Sequence, residues 1–181
     1  ANVLSIVSLT RRRSKDIDEF AENLTGRIRA LSATHDLLSQ SNWTSAELGE
    51  VVRSELAPYM QDDEAHVDLS GPDVSLAPND ALSLGLAIHE LATNAAKYGA
   101  LSTPEGRVTV SWTLVSPDRA RVDWKESGGP PVSEPTRRGF GRDLIEKIVA
   151  HELQSQVDLA FRPEGVACSL LVPVRKATEF A

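Results

Sequence analysis

The stretch PNDALSLGLAIHELATNAAKYGALS, running from Pro78 to Ser102, decides how this chain folds. Pro78 suits the first turn of a helix, where its missing N–H is not needed, and Gly99 suits the position just past a helix end. Between them Leu84, Ile88, Leu91 and Ala95 recur at the helical period, which predicts one long helix to Tyr98 with that stripe facing a sheet. Glu90, Asn94 and Lys97 fall at i, i+4 and i+7 on a different stripe, and put a carboxylate, an amide and an ammonium in one line. An amide oxygen can ligate Mg²⁺, an ammonium can meet phosphate as a point charge, and a carboxylate can accept a proton. A solvated helix face has the same pattern, so the stripe gains meaning only from its surroundings.

Downstream the periodicity changes to two. Val108, Val110 and Trp112 alternate with Thr109 and Ser111, and Ala120, Val122 and Trp124 follow across the turn Pro117-Asp118, which predicts an antiparallel strand pair. Glu126-Ser127-Gly128-Gly129 comes next. A carboxylate at a strand end can accept a hydrogen bond from an exocyclic amine, and glycines beside it let a flat ring approach the backbone. A Gly/Pro-rich loop then leads through Arg137 and Arg138 to Gly139-Phe140-Gly141, which opens a helix from about Gly141 to Leu153, so that N–H groups and the helix dipole can meet an anion. Strands are expected near Val157 to Phe161 and Ala167 to Val172, with Gly165 in the turn between them.

Upstream, Val3, Ile6, Val7 and Thr10 share a face of a helix ending in Arg11, Arg12 and Arg13. Asp16, Asp18 and Glu19 suit the start of a second helix, and Phe20, Leu24, Ile28, Leu31 and Leu38 carry it to about Ser39. So short a turn predicts an antiparallel hairpin, and one hairpin leaves an apolar face for a partner pair. Thr44 reads as the N-cap of a short helix over Leu48 to Leu56, and His66 to Leu69 and Val74 to Leu76 as strands around the turn Gly71-Pro72-Asp73. The expected division is a helical hairpin over 1–40 and a globular unit over 41–181. Helices on one side of a mostly antiparallel sheet make the class α+β, a two-layer sandwich.

Composition narrows the function. The 181 residues are 41% hydrophobic and 25% charged, as in ordinary globular proteins, and the net charge of −7 argues against nucleic acid as a general partner. The single cysteine, Cys168, cannot form an internal disulfide and reads as packing in an apolar strand; no His, Cys and acid set has zinc spacing. No apolar run is long enough to enter a membrane, and a cytoplasmic setting is the expectation. The chain opens at Ala1 inside a helical pattern without an initiator methionine, so a fragment of a longer protein is expected.

Polar helix stripe, strand-end acid with glycines, then a glycine pair opening a helix is the order found in the ATP-binding fold shared by gyrase, heat-shock chaperones and histidine kinases. HELATNAAKYGALS resembles the N box of HWE histidine kinases, with His89 as the distinguishing histidine, and Trp124-Lys125-Glu126 resembles their W-x-E signature. The resemblance runs from about Asn2 to Pro173. It implies a catalytic region of a bacterial two-component sensor kinase that uses ATP and Mg²⁺. Glu126 would bind the adenine amine and Gly128 would lie under the ring. Asn94 would hold the metal, Lys97 and Tyr98 would line the phosphate and sugar side, and Gly139 with Gly141 would form a second glycine box behind Arg138. Glu90 would activate the acceptor histidine, and His89 would either contact nucleotide or serve as a satisfied polar group at the helix seam. The acceptor histidine, in an H-R-x-x-N segment, would lie upstream of Ala1, because Asn2 matches that segment's asparagine. A response-regulator receiver domain, a second copy joined through the hairpin, and an upstream sensor domain would be the partners. The alternative is a phosphotransfer scaffold with a degenerate ATP-like domain; Asn94 and Glu126, which degenerate members lose, speak for the kinase.

Overall fold

The computed structural model describes residues 3–61, 66–133 and 140–174. Two helices open the chain, α1 (Val3–Arg13) and α2 (Ile17–Gln40), and they form the expected hairpin. Asp16 caps α2 by accepting from the Glu19 N–H at 2.8 Å. The buried positions of α2 are Arg27, Ala30, Thr34 and Leu38, while Ile28, expected on the inner stripe, faces outward. The helical period allowed either face; the inner one is set by what α2 packs on.

A two-stranded ribbon follows, β1 (Ala46–Glu47) with β3 (Ser75–Leu76), and between them lie α3 (Leu48–Leu56) and β2 (Val67–Ser70). Glu47, not Thr44, caps α3, accepting from the N–H groups of Gly49 and Glu50 at 3.2 and 3.0 Å. Residues 46–47 are extended against β3, so the cap falls to the residue directly before the helix, which spans Leu48–Leu56 as expected. The Gly71-Pro72-Asp73 turn lies between two strands as expected, and these pair with different neighbours, β2 with a later strand of the main sheet and β3 with β1. The Trp112 indole N–H donates to the Pro72 carbonyl at 2.7 Å and lies against Gly71, which holds this turn on the sheet edge while β3 leaves to pair with β1.

The main sheet has five strands in the order β2-β4-β5-β7-β6, formed with β4 (Arg107–Ser116), β5 (Arg119–Ser127), β6 (Val157–Arg162) and β7 (Gly165–Pro173). Only the β2–β4 pair is parallel. Burial alternates along β4 and β5, so one face packs on helices and the other is polar. On the packed face lies α4 (Pro78–Tyr98), whose Leu84, Ile88, Leu91 and Ala95 enter the core with Val110, Val122 and Trp124. Full burial of a side chain such as Ile88 contributes about 1.5–3 kcal/mol. The last helical segment begins as α5 (Phe140–Asp143), opens into a π-helical turn over Leu144–Val149 and closes as α6 (Ala150–Leu153). Cys168 is buried in the core, and burial pushes its thiol up to about 12, as befits a packing residue.

The fold is therefore the expected α+β sandwich, with the hairpin laid against the outer side of α4. A second apolar cluster of Ile6, Leu86 and Leu144, with Leu24 and Leu31 packed on it, makes that contact. It explains why α4 is buried on two sides rather than one.

Candidate active site

At the C-terminal end of α4, Glu126 is only 3% exposed. One carboxylate oxygen accepts from the Ala100 N–H and the other from the Trp124 indole N–H, both at 3.0 Å. The W-x-E spacing has a direct physical meaning: residues two apart on a strand share a face, so the indole can reach the carboxylate. Burial raises the Glu126 pKa, while the two hydrogen bonds from Ala100 and Trp124 pull the other way. Ionised carboxylate oxygens have further lone pairs, so each can still accept another donor. Gly128 holds a φ of +72°, and a Cβ there would stand 2.5 Å from the Glu105 carbonyl oxygen. The structure thus supplies a packing reason for a glycine that the sequence assigned to a ring.

A side chain at Gly99 would collide with the same Glu126 oxygen that accepts from Ala100. We expect Gly99→Ala to displace the carboxylate, orphan the Ala100 N–H and cost about 1–3 kcal/mol of stability. Urea unfolding reads this directly, and an unchanged midpoint would mean that the carboxylate does not pin the turn.

One turn back along α4, Asn94 and Lys97 are exposed, as is Tyr98 at 74%. Glu90 is not on that solvated stripe. It is 3% exposed and faces α2, where Arg27 meets it through two nitrogens at 2.7 and 3.2 Å. Arg27 also donates to the Thr10 hydroxyl of α1 at 3.3 Å, so one guanidinium ties α1, α2 and α4 together. The three polar groups share one side of α4 but differ in burial, with Asn94 and Lys97 exposed and Glu90 beneath the hairpin.

His89 stands beside this pair. Its Nδ1 lies 4.0 Å from Glu55 of α3, and its Nε2 faces Gly26 of α2. Burial lowers the His89 pKa, with the Arg27 and Lys97 charges adding to it and Glu90 opposing. A cavity of about 430 Å³ between α2 and α4 is lined by Gly26, Arg27, Arg29, His89, Glu90 and Lys97 among others. Arg138 and Gly139 lie outside the described residues, and Gly141 falls in α5. Just past it, the buried Asp143 pairs with Arg13 of α1. The sequence reading missed Arg27 and Glu55. Arg27 had a signal, for it sits on the apolar stripe between Leu24 and Leu31; Glu55, on the buried side of α3, had none beyond that placement.

A family model described as HWE histidine kinase matches residues 1–73. The blue-light-activated histidine kinase of Brucella anthropi is 37% identical over 177 residues, 96% of this chain. This chain belongs to the HWE histidine kinases. It spans 36% of that relative's length. The histidine kinase domain of the Erythrobacter litoralis EL346 blue-light-activated kinase has the same fold as this HWE chain, with a TM-score of 0.74 at 18% identity, covering 99% of this chain and 89% of that one. The histidine kinase ThkA, solved in complex with the response regulator TrrA, aligns with a TM-score of 0.54 at 16% identity over 96% of this chain and 58% of its own. Among the described residues of the HWE chain, no helix is long and apolar enough to cross a membrane.

Proposed function

We propose that this HWE chain is the ATP-binding catalytic region of a two-component sensor kinase, with residues 41–181 as the nucleotide unit and 1–40 as part of the dimerisation hairpin. The observation that carries this is the layout of α4. Its C-terminal end abuts Glu126, its middle exposes Asn94 and Lys97, and its Glu90 turn meets the hairpin roughly 14 Å away along the axis. That span suits a nucleoside triphosphate lying with its base at one end and its γ-phosphoryl group at the other.

In this reading the substrate is Mg²⁺-ATP. The free lone pairs of Glu126 would accept from the adenine amine, Asn94 would ligate the metal, Lys97 and Tyr98 would meet phosphate and sugar, and Arg138, Gly139 and Gly141 would supply the second glycine box. The γ-phosphoryl group passes to an imidazole nitrogen, the bond to ADP breaks, and Glu90, released from Arg27, takes the displaced N–H proton. None of the four histidines here begins an H-R-x-x-N segment, so the acceptor is a histidine outside these residues. The phosphoryl group then moves to an aspartate of a response-regulator receiver domain, the kind of partner ThkA was solved with. Val3, Leu4, Ile17 and Ile28 are exposed on the hairpin, and the last two are about three helical turns apart on one face, which suits a homodimer. A sensor domain joined to the hairpin and a cytoplasmic setting complete the proposal.

Calorimetry tests it. The unaltered chain should bind Mg²⁺-ATP, Asn94→Ala should lose the dependence on magnesium, and GTP should compete poorly until Glu126 is replaced by alanine. No binding by the unaltered chain would overturn the kinase reading, and unchanged discrimination in Glu126→Ala would reduce Glu126 to an anchor for the Ala100 turn.

A further inference from the structure

His89 is held between two helices with its ring nitrogens pointing apart. Nδ1 is directed to Glu55 Oε2 at 4.0 Å, and Nε2 is directed to α2, where a Cβ on Gly26 would stand 3.2 Å away. Gly26 lies well inside a 24-residue helix, where glycine costs about 1 kcal/mol against alanine, and its use there is to leave room for this ring. The imidazole therefore reaches the α2–α4 cleft through Nε2 alone.

Glu55 is a carboxyl group the kinase scheme does not use. Its side chain is 5% exposed, and Oε1 has no hydrogen-bond partner. The Thr34 hydroxyl, also without a partner, lies across Gly85 from it. We propose that Glu55 is a positioning residue for His89: its carboxylic acid donates to Nδ1, so that Nε2 keeps the ring's hydrogen and offers it in the cleft to an oxygen of the γ-phosphoryl group. The proposal rests on the kinase reading for the identity of that oxygen. At 4.0 Å the contact is longer than a hydrogen bond, and a shift of about 1 Å in either side chain closes it.

Burial supports the protonation states this needs. It pushes Glu55 up to about 8, so the acid keeps its hydrogen at neutral pH, and it lowers His89, so the ring is neutral with one N–H. A neutral ring whose Nδ1 accepts must carry its hydrogen on Nε2. The charged groups facing His89 are Glu90, Arg27 and Lys97, and the titratable group beside Glu55 is Tyr59. As pH rises past about 8, an ionised Glu55 can only accept, so the ring carries its hydrogen on Nδ1 and donates it to Glu55, Nε2 becomes an acceptor, and it repels a phosphoryl oxygen.

The test compares Glu55→Gln with Glu55→Leu in the intact protein with its acceptor histidine. A glutamine amide can donate to Nδ1 at every pH, whereas leucine cannot donate at all. Leu should slow γ-phosphate labelling at least tenfold at neutral pH with little change in ATP affinity; Gln should restore most of that rate and remove the alkaline fall near pH 8. Nitrogen NMR of His89 should show the Nε2–H form in the unaltered and Gln proteins and a mixture in the Leu protein. Gln and Leu variants that label alike, or an Nδ1–H ring in the unaltered protein, would overturn the assignment of Glu55 alone. An unaltered protein that binds no Mg²⁺-ATP would overturn the kinase reading and the phosphoryl partner with it.

Discussion

Arg27→Met will lower the stability of this chain by about 3–5 kcal/mol, and adding Glu90→Leu will recover most of that loss. The expectation follows from where the pair lies. Both side chains are nearly inaccessible, at 6% and 4%, and the guanidinium meets the carboxylate through two nitrogens. Removing only the cation leaves a carboxylate buried without its counter-charge, which is the expensive case; removing both leaves an apolar contact beside the Ile6, Leu86 and Leu144 cluster. Urea unfolding of the single and double variants decides it. Equal destabilisation in the two would mean that Arg27 acts through Thr10 and helix packing rather than through the charge on Glu90. If Glu90 is the base, as proposed, the same pair bears on catalysis, because a carboxylate engaged by two donors cannot take a proton until Arg27 lets go.

Glu55 governs the second large effect, a loss of stability with rising pH. Its pKa stands at about 8 in the fold against an ordinary value of 4.5. An acid raised in this way favours the folded chain only while it holds its proton. The contribution is complete below pH 4.5 and is lost as pH rises through 8, and it amounts to about 5 kcal/mol over that interval. The unaltered chain should therefore lose roughly that much more stability than Glu55→Gln between pH 4.5 and pH 9. Parallel denaturant titrations at the two pH values measure the difference. Identical pH slopes in the two proteins would show that Glu55 is hydrated in the fold.

The parts of the fold that could be read in the sequence were those fixed by short-range geometry. Pro78 and Gly99 bracket α4, its sheet-facing stripe is buried as spaced, and the alternation in β4 and β5 maps onto one packed face. Trp124 and Glu126 were paired in the sequence only as a motif; the spacing of two also puts indole and carboxylate side by side, a contact that the strand period could have shown. What could not be read depends on contacts far apart in the chain. Arg27 and Glu90 are 63 positions apart, and only the packing of α2 on α4 buries Glu90 while Asn94 and Lys97 stay exposed. Thr44 had the spacing of a cap but lost the role to Glu47, because pairing with β3 extends the intervening backbone. The strands expected on either side of Gly71 are present, but that they join different sheets could not be read locally, since the Trp112 side chain holds the turn while β3 pairs with β1. Local pattern specifies which elements form; the partners they find decide which side chains are buried.

Arg13 of α1 is paired with Asp143, at the end of α5, just where that helix enters its π-helical turn. On the proposed reading, in which Gly141 belongs to the phosphate site, the first helix of the hairpin is joined to that site by this ion pair. Thermodynamic reciprocity then sets a limit on how this molecule can respond. If a torque on α1 weakens nucleotide affinity tenfold through this joint, bound nucleotide must resist that torque by the same amount, about 1.4 kcal/mol. If the site binds nucleotide as proposed, a loaded site is for that reason harder to twist than an empty one, and its occupancy sets the stiffness with which α1 meets a torque.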